Sequence, residues 1–264
     1  MELSLDLFFE KLNHEKVAEL FADKVIWEPL KKLKEFLNDL IPELSIKIPF
    51  KNPLPESVFL TPEGEIVPFK ELEEFEGEFF YKGEKIEGTL IYAGAILMDK
   101  KLYFEKQVII EPFALLKGPC YLSKGTEVRH SAYLRGSIYT GEGAVIGHTT
   151  EVKNSIFLTQ AKAAHFAYVG DSILGREVNL GAGTKLANLK FTQRKITFKI
   201  NGQNIFTGLK KMGAILGDKT QTGCNSVLQP GTLIGKNSYI YPCCSAGPGY
   251  FPPRSKIKKS TFLK

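Results

Sequence analysis

From Ile110 onward the chain keeps a period of six. Ile110, Leu116, Leu122, Val128, Leu134, Thr140, Ile146 and Val152 stand six apart, and all but Thr140 are aliphatic. Four positions after each come Ala114, Cys120, Thr126, Ala132, Ile138, Ala144, Thr150 and Ile156, which are mostly small. The pattern returns at Leu216, Thr222, Leu228, Ile234 and Ile240, with Thr220, Ser226, Thr232, Ser238 and Cys244 as partners. A period of six fits neither the 3.6 of an α-helix nor the 2 of an amphipathic strand. It fits a β-helix, in which each short flat strand turns one aliphatic residue inward and small residues sit at tight corners. Three hexads close one triangular coil of about 18 residues, coils stack at about 4.8 Å, and each is buried only by its neighbours. The predicted fold is therefore mainly β, a parallel β-helix over 110–250.

The period slips twice. The first slip lies between 157 and 172, around Ala161-Lys162-Ala163-Ala164-His165, and the second between 187 and 213. Inside the second, Ile196 to Ile200, Asn201-Gly202 and Gln203 to Phe206 predict a hairpin with a type I′ turn, in an insertion projecting at 190–212. Loops on a stiff scaffold are natural places for function.

Residues 1–109 predict a small α+β region. Pro29 opens a helix with Leu30, Leu33, Leu37, Leu40 and Ile41 on one face, and Pro42 stops it. An earlier helix carries Val17, Leu20 and Phe21 behind an Asn13 cap. Prolines at 49, 53, 55, 62 and 68 predict a linker with short strands, and 75–109 predicts β-structure with turns at Lys82-Gly83-Glu84 and Asp99-Lys100-Lys101. Residues 251–264 predict a basic tail with Arg254, Lys256, Lys258 and Lys259.

Lys+Arg number 35 against 29 Asp+Glu, a formal charge of +6 spread along the chain, too diffuse to argue for nucleic acid. No apolar run is long enough to span a bilayer, and the acidic start Met1-Glu2-Leu3-Ser4-Leu5-Asp6 does not read as a signal peptide. Cys120, Cys224, Cys243 and Cys244 form no CxxC pair. The expectation is free thiols, no metal site, no membrane partner and a cytoplasmic protein.

Arg135 and Lys153 are one coil apart, and each follows an inward aliphatic residue, so both point outward in one column. Two cations at about 5 Å repel unless an anion lies between them, which suits a phosphate; two independently solvated charges is the even alternative. His130 and His148 form a second column; a metal pair there lacks an evident third ligand, so they read as surface or interface histidines. His165 lies in the first slip, where a protruding imidazole suits a general base, although a lone histidine is more often structural.

Three runs carry a resemblance. They are Glu151-Val152-Lys153-Asn154-Ser155, then Lys162-Ala163-Ala164-His165-Phe166-Ala167-Tyr168-Val169-Gly170-Asp171, then Val178-Asn179-Leu180-Gly181-Ala182-Gly183-Thr184. In order and spacing they resemble the acetyltransferase domain of the bifunctional N-acetylglucosamine-1-phosphate uridylyltransferase / glucosamine-1-phosphate acetyltransferase family. Ala187-Asn188-Leu189 and the hairpin insertion look more like the archaeal-type sugar-1-phosphate nucleotidylyltransferase/acetyltransferases. The resemblance covers roughly 110–245.

It implies a left-handed β-helix, a homotrimer with its site between subunits, and acetyl-CoA as co-substrate. It implies Arg135 and Lys153 on the substrate phosphate, His165 as base oriented by Glu151, and Tyr168 and Asn179 on the sugar and phosphate. Ala182, Asn188 and Cys224 would line the acetyl-CoA side, with Arg194 or Lys195 in the place of a family lysine. The chain departs from the family at Leu189 (a tyrosine there), at Cys224 (a serine) and near Pro242 (a small residue).

The family's glycine-rich nucleotidyl-transfer loop has no match in 1–109, so neither nucleotidyl transfer nor a magnesium requirement is expected. The function implied is N-acetylation of glucosamine-1-phosphate or galactosamine-1-phosphate toward UDP-N-acetylhexosamine. Two alternatives stand beside it: a non-catalytic sugar-phosphate-binding or scaffold protein, and an acyltransferase of lipid A type, or one using another sugar nucleotide, on the same fold.

Overall fold

A computed structural model describes residues 3–76, 78–200 and 202–258. Short parallel strands wind into a β-solenoid of about nine turns with three faces. Face I carries Ile109–Ile110, Glu127–Val128, Val145–His148, Lys162–His165, Asn179–Leu180, Gln221–Thr222 and Tyr239–Ile240. Face II carries Leu115–Lys117, Tyr133–Arg135, Glu151–Lys153, Tyr168–Gly170, Lys185–Leu186, Val227–Leu228 and Ser245–Ala246. Face III carries Cys120–Leu122, Ile138–Thr140, Ser155–Phe157, Ile173–Leu174, Ala214–Leu216, Thr232–Ile234 and Gly249–Phe251. The aliphatic column of the hexads is the axis of the core: Ile110, Leu116, Leu122, Val128, Leu134, Ile146 and Val152 are all fully buried in one cluster.

The coil begins earlier than the hexad phase announces. Thr89–Ile91, Ile96–Leu97 and Leu102–Phe104 already form one turn, in parallel register with 109–110, 115–117 and 120–122. This turn escapes the period because Leu97 to Leu116 spans 19 residues rather than 18. At the other end Lys256–Ile257 pairs with Tyr239–Ile240, so the first part of the expected tail belongs to the solenoid.

The first slip starts at Asn154, not after 157. Gly136 and Ser137, both at positive φ, turn the corner between faces II and III in one coil, whereas Asn154 (φ +44°) turns it alone in the next. The coil shortens to 17 residues, Ser155 falls opposite Ile138, and Ile156 faces outward on face III instead of inward.

Face III is covered. Its outward residues Tyr121, Tyr139, Ile156, Ile173, Ile215 and Leu233 are buried against Phe8, Phe9, Val17, Leu20, Phe21 and the helix Pro29–Leu40. Each such side chain is worth about 1.5–3 kcal/mol when fully buried, which explains why this N-terminal segment adheres. The helix starts on Pro29 as expected and buries Leu30, Leu33 and Leu37, with Ile41 buried just past its end; Leu40, on the flank of the stripe, stays 38% exposed. Lys101 donates through Nζ to the carbonyls of Asn38 (3.1 Å) and Ile41 (2.9 Å) and so closes the helix C-terminus.

The earlier helix does not form as one piece. Two 3-10 turns, Leu12–His14 and Ala18–Phe21, replace it, and Asn13 sits inside the first rather than capping the second. The cause is Glu15, which leaves the helical region (φ −95°, ψ 137°) to reach into the solenoid. Its buried carboxylate accepts hydrogen bonds from Thr159 N (2.8 Å), Thr159 Oγ1 (2.7 Å) and Tyr139 OH (3.1 Å), and pairs with Arg176.

The expected hairpin forms, with Thr197–Ile200 antiparallel to Gln203–Phe206; Asn201 of its turn lies outside the described residues. It does not project freely. Ile196, Phe198 and Met212 are buried in the face III cluster, and Phe198 stacks edge-on against Trp27 at 5.7 Å. Among the described residues no helix is long and apolar enough to cross a membrane.

Candidate functional site

The corner between faces I and II repeats one backbone device. Phe113, Ser131, Thr149, Phe166, Gly183, Asn225 and Cys243 all take positive φ there. Each N–H from Ser131 onward donates to the carbonyl just before the corner residue of the preceding coil: Thr149 to His130, Phe166 to His148, Gly183 to His165, Asn225 to Ala182 and Cys243 to Cys224. Pro112, His130, His148, His165, Ala182, Cys224 and Pro242 therefore stand in one column. The expected His130–His148 pair is real, with rings 5.5 Å apart and 20° from parallel. His165 continues the pair, in register with His148, at the exposed end of Lys162–His165. Among the described residues no side chain or backbone group hydrogen-bonds to the His165 ring. The corner below it is pinned by Lys185, whose Nζ donates to the carbonyls of Phe166 (3.1 Å) and Gly183 (2.8 Å).

Face II presents two outward columns. One holds Tyr133, Glu151, Tyr168 and Lys185, and the other holds Lys117, Arg135, Lys153 and Gly170. Arg135 and Lys153 do share a column, but protein carboxylates relieve their repulsion. Arg135 pairs with Glu151 at 2.7 Å, and Lys153 with Asp171 at 3.3 Å. Glu151 is thus engaged by Arg135 and makes no hydrogen bond to His165. The bond to Glu151 also holds the Arg135 guanidinium above its usual range.

Asp171, to which the sequence reading gives no role, is the junction of this face. It is buried, and it turns the face II–III corner at φ +47°. Its carboxylate accepts from Asn188 Nδ2 (2.5 Å) and Asn154 Nδ2 (3.0 Å) besides Lys153. Asn154 also donates to the carbonyl of Leu30 in the N-terminal helix (3.2 Å). Gly170 lies beneath: a Cβ there would fall 2.6 Å from Asn188 Nδ2 and 2.7 Å from the Tyr168 hydroxyl. Burial pushes the Tyr168 phenol up, and the nearby carboxylates of Glu151 and Asp171 push it further, so it stays a neutral hydrogen-bonding group. The available signal was the run Val169-Gly170-Asp171 inside the resemblance and the isolated Asn154 at the slip.

The remaining expected residues are spread over the surface. Asn179 faces outward on face I, beside Lys162. Ala182 and Cys224 lie in the His165 corner column, whereas Asn188 sits at the opposite edge of face II, where the insertion leaves the coil. The insertion returns there too, with Met212 N on the Asn188 carbonyl (2.9 Å) and Gly213 N on the Asp171 carbonyl (2.9 Å). Arg194 and Lys195 are exposed on the loop between, after a turn closed by Gln193 N on the Lys190 carbonyl. Burial lowers the Lys190 amine, which is anchored to the Thr197 carbonyl. Cys224 and Cys243 are exposed thiols, Cys120 and Cys244 buried ones. Among the described residues no cluster of three or more His, Cys, Asp or Glu side chains has the arrangement of a metal site.

One chain therefore brings together Arg135, Glu151, Lys153, Tyr168 and Asn188 on face II, and His165, Ala182 and Cys224 on its edge. It turns Asn179 onto face I. The outward normals of two faces of a triangular prism diverge, so a small ligand on face II does not reach Asn179 of the same chain.

The chain is similar to several known proteins. A bifunctional sugar-1-phosphate nucleotidylyltransferase/acetyltransferase of Sulfurisphaera tokodaii is 42% identical over 82 residues, 31% of this chain and 20% of that protein. The bifunctional protein GlmU of Methanococcus vannielii is 39% identical over 87 residues, 33% and 21% of the two chains. That of Methanocaldococcus jannaschii is 34% identical over 87 residues, again 33% and 21%. The matched segment spans about a fifth of the length of these curated relatives. Residues 116–262, more than half of the chain, match the family described as the GMPPB C-terminal domain, and the chain belongs to that family.

Proposed function

We propose that this chain is an N-acetyltransferase that moves an acetyl group from acetyl-CoA to the amine of an amino-sugar 1-phosphate. The observation that carries the reading is a phosphate-sized pair of cations and a neutral phenol on face II, with an unengaged imidazole at the face I–II corner that borders it. Arg135 and Lys153 hold the phosphate, with Tyr168 beside them on the sugar. As the phosphate takes over Arg135, Glu151 loses its ion pair and becomes free to support a charged imidazole.

His165 accepts a proton from the amine as nitrogen attacks the thioester carbonyl. The tetrahedral intermediate collapses with loss of the CoA thiolate, which takes that proton back from the imidazolium. The Ala182 N–H, which meets no protein acceptor among the described residues, is a donor for the oxyanion. Asn179 joins the site from a neighbouring copy, because its face diverges from face II, so the working unit is a trimer with sites between subunits. Cys224 and Arg194 or Lys195 line the acetyl-CoA side.

The test is thiol release from acetyl-CoA with glucosamine-1-phosphate, galactosamine-1-phosphate and unphosphorylated glucosamine. Turnover should require the phosphate, and Arg135→Ala or Lys153→Ala should each weaken the phosphorylated sugars by about tenfold or more, the value of one charge-assisted contact. No turnover with any amino-sugar phosphate, or a monomer by light scattering at micromolar concentration, counts against the reading.

A further inference from the structure

The charge of the chain is divided between the two ends of the solenoid. Residues 61–87 hold nine glutamates and three lysines, whereas residues 219–264 hold seven lysines and arginines and no acidic residue. The sheet that contains face I runs through eleven strands from Ile66–Pro68 to Lys256–Ile257. At the usual strand spacing its two edges are about 48 Å apart.

An antiparallel sheet of Leu72–Phe75, Glu78–Tyr81 and Glu84–Ile86 forms the acidic end. Its inner face, with Leu72, Phe79, Tyr81 and Ile86, packs on Phe59, Val67 and Leu90. Alternation along the strands turns Glu73, Phe75 and Phe80 to the other face. Phe75 is 66% exposed there. Among the described residues no cation pairs with Glu73 or its exposed neighbour Glu74.

The basic end offers the converse. Tyr239 and Tyr241 stand outward on face I, both nearly half exposed. Lys256 is in register with Tyr239, and Lys258 lies over the Tyr241 ring (5.9 Å to the centroid). Tyr239, Tyr241, Pro242 and Lys256 wall an open cavity of about 550 Å³, wide enough for a phenyl ring. Among the described residues no carboxylate pairs with Lys256 or Lys258. The two surfaces match in charge, and one carries an aromatic knob where the other carries an aromatic-walled hollow. The length of the solenoid keeps them from meeting within one chain.

We propose that the outer face of the 72–86 sheet docks on the C-terminal end of face I of a second copy, with Phe75 in the cavity beside Tyr239 and Tyr241 and with Glu73 and Glu74 on Lys256 and Lys258. The contact joins two different surfaces, so every pair keeps one of each free and adds further copies head to tail. A closed trimer stops growing at three copies; this contact does not.

The experiment is sedimentation velocity of the full-length chain over a range of concentrations, at about 20 mM and about 500 mM NaCl, the higher salt screening exposed charges. At low salt the weight-average mass of wild type should keep rising with concentration, to at least about twice its high-salt value. Glu73→Lys with Glu74→Lys should abolish the rise, and so should Lys256→Glu with Lys258→Glu, each at wild-type melting temperature. An equimolar mixture of the two variants should recover it, because each then offers the end that the other lacks. Phe75→Ser, a single exposed substitution, should weaken the rise and gives a reading should a reversal variant fold poorly. A wild-type mass that is independent of salt, or that levels off at a closed unit, overturns the proposal. So does growth unchanged in Phe75→Ser or in either reversal variant alone, or a mixture that stays unassociated.

Discussion

Asp171→Ala is the substitution that most directly tests the architecture of the site. The carboxylate is 7% exposed and holds three groups: Lys153 at 3.3 Å, Asn188 at 2.5 Å and Asn154 at 3.0 Å. Removing it strands two amides and one ammonium. Hydrogen bonds to a charged acceptor are worth about 1.5–3 kcal/mol each, and breaking a buried pair costs about 3–5 kcal/mol. The Lys153 side chain is 27% exposed and regains water, so its share is smaller, about 1 kcal/mol. The expected loss is at least about 4 kcal/mol, or roughly 8–16 °C in melting temperature for a chain of this size.

A double-mutant cycle with Lys153→Met apportions it. Coupling between 171 and 153 should account for about a quarter of the loss, because the two asparagines carry the rest. Urea denaturation gives the free energies, and limited proteolysis should show earlier cleavage within 188–213, which is tied to the coil through Asn188 and Gly213. A loss below about 0.5 kcal/mol, as for a surface ion pair, would refute Asp171 as the junction. So would coupling that accounts for all of it.

Other perturbations follow from the same contacts. Glu15→Ala should cost about 3–5 kcal/mol, because it leaves Thr159, Tyr139 and Arg176 without their buried acceptor, and proteolysis should then begin in residues 8–28; a protease-resistant N-terminal segment refutes the clamp. Burial pushes the Asp218 carboxyl up, against the N–H groups of Glu10 and Arg176 that pull it down. A raised folded value means that its contribution is full below the unfolded carboxyl range and is lost as pH rises through the folded value. The melting difference between wild type and Asp218→Asn should therefore shift in favour of wild type on acidification from about pH 7 to pH 4, and a pH-independent difference refutes the assignment. His165→Ala should lower kcat by roughly 10²–10⁴ with little change in sugar-phosphate binding, as steady-state kinetics and calorimetric titration would show. Near wild-type turnover in that variant would refute His165 as the general base.

The solenoid was legible because its core repeats: an inward aliphatic residue every six positions leaves a trace that survives any surface chemistry. What the period could not carry is the outward side of face III. Tyr121, Tyr139, Ile173 and Leu233 look like unremarkable strand residues until Phe8, Val17 and Leu33 are laid across them. The helix over 29–40 announced its own buried stripe but not the surface that receives it. Glu15 was illegible for a related reason, since its partners Tyr139, Thr159 and Arg176 lie more than a hundred residues away. At the site, spacing found the Arg135–Lys153 column but not its counter-charges. Glu151 and Asp171 sit on neighbouring coils, and only the register shows which carboxylate meets which cation. The hairpin strands followed from local turn chemistry, whereas their docking on Trp27 depends on tertiary contact.

The break in the repeat and the candidate site have one physical origin. A regular coil turns the face II–III corner with two residues, Gly136 and Ser137. Closing the corner with a single residue requires that residue to take positive φ alone, a conformation that asparagine and aspartate tolerate better than most side chains. Asn154 and Asp171 meet the requirement in consecutive coils, at +44° and +47°. The tight corner brings their side chains together, one amide on one carboxylate, and leaves a second carboxylate oxygen for Asn188 at the mouth of the insertion. Shortening the coil by one residue also moves the strands of faces III and I back by one, so His165 rather than Phe166 falls opposite His148. The irregularity that ends the hexad phase thus sets the lysine anchor, the insertion's point of departure and the rung on which the imidazole stands. A variant that restores an 18-residue coil by inserting glycine after Asn154 keeps every side chain of the site. It should nevertheless uncouple Lys153 from Asp171 and abolish sugar-phosphate binding while the solenoid still folds; retained binding would mean that the site does not depend on the shortened corner.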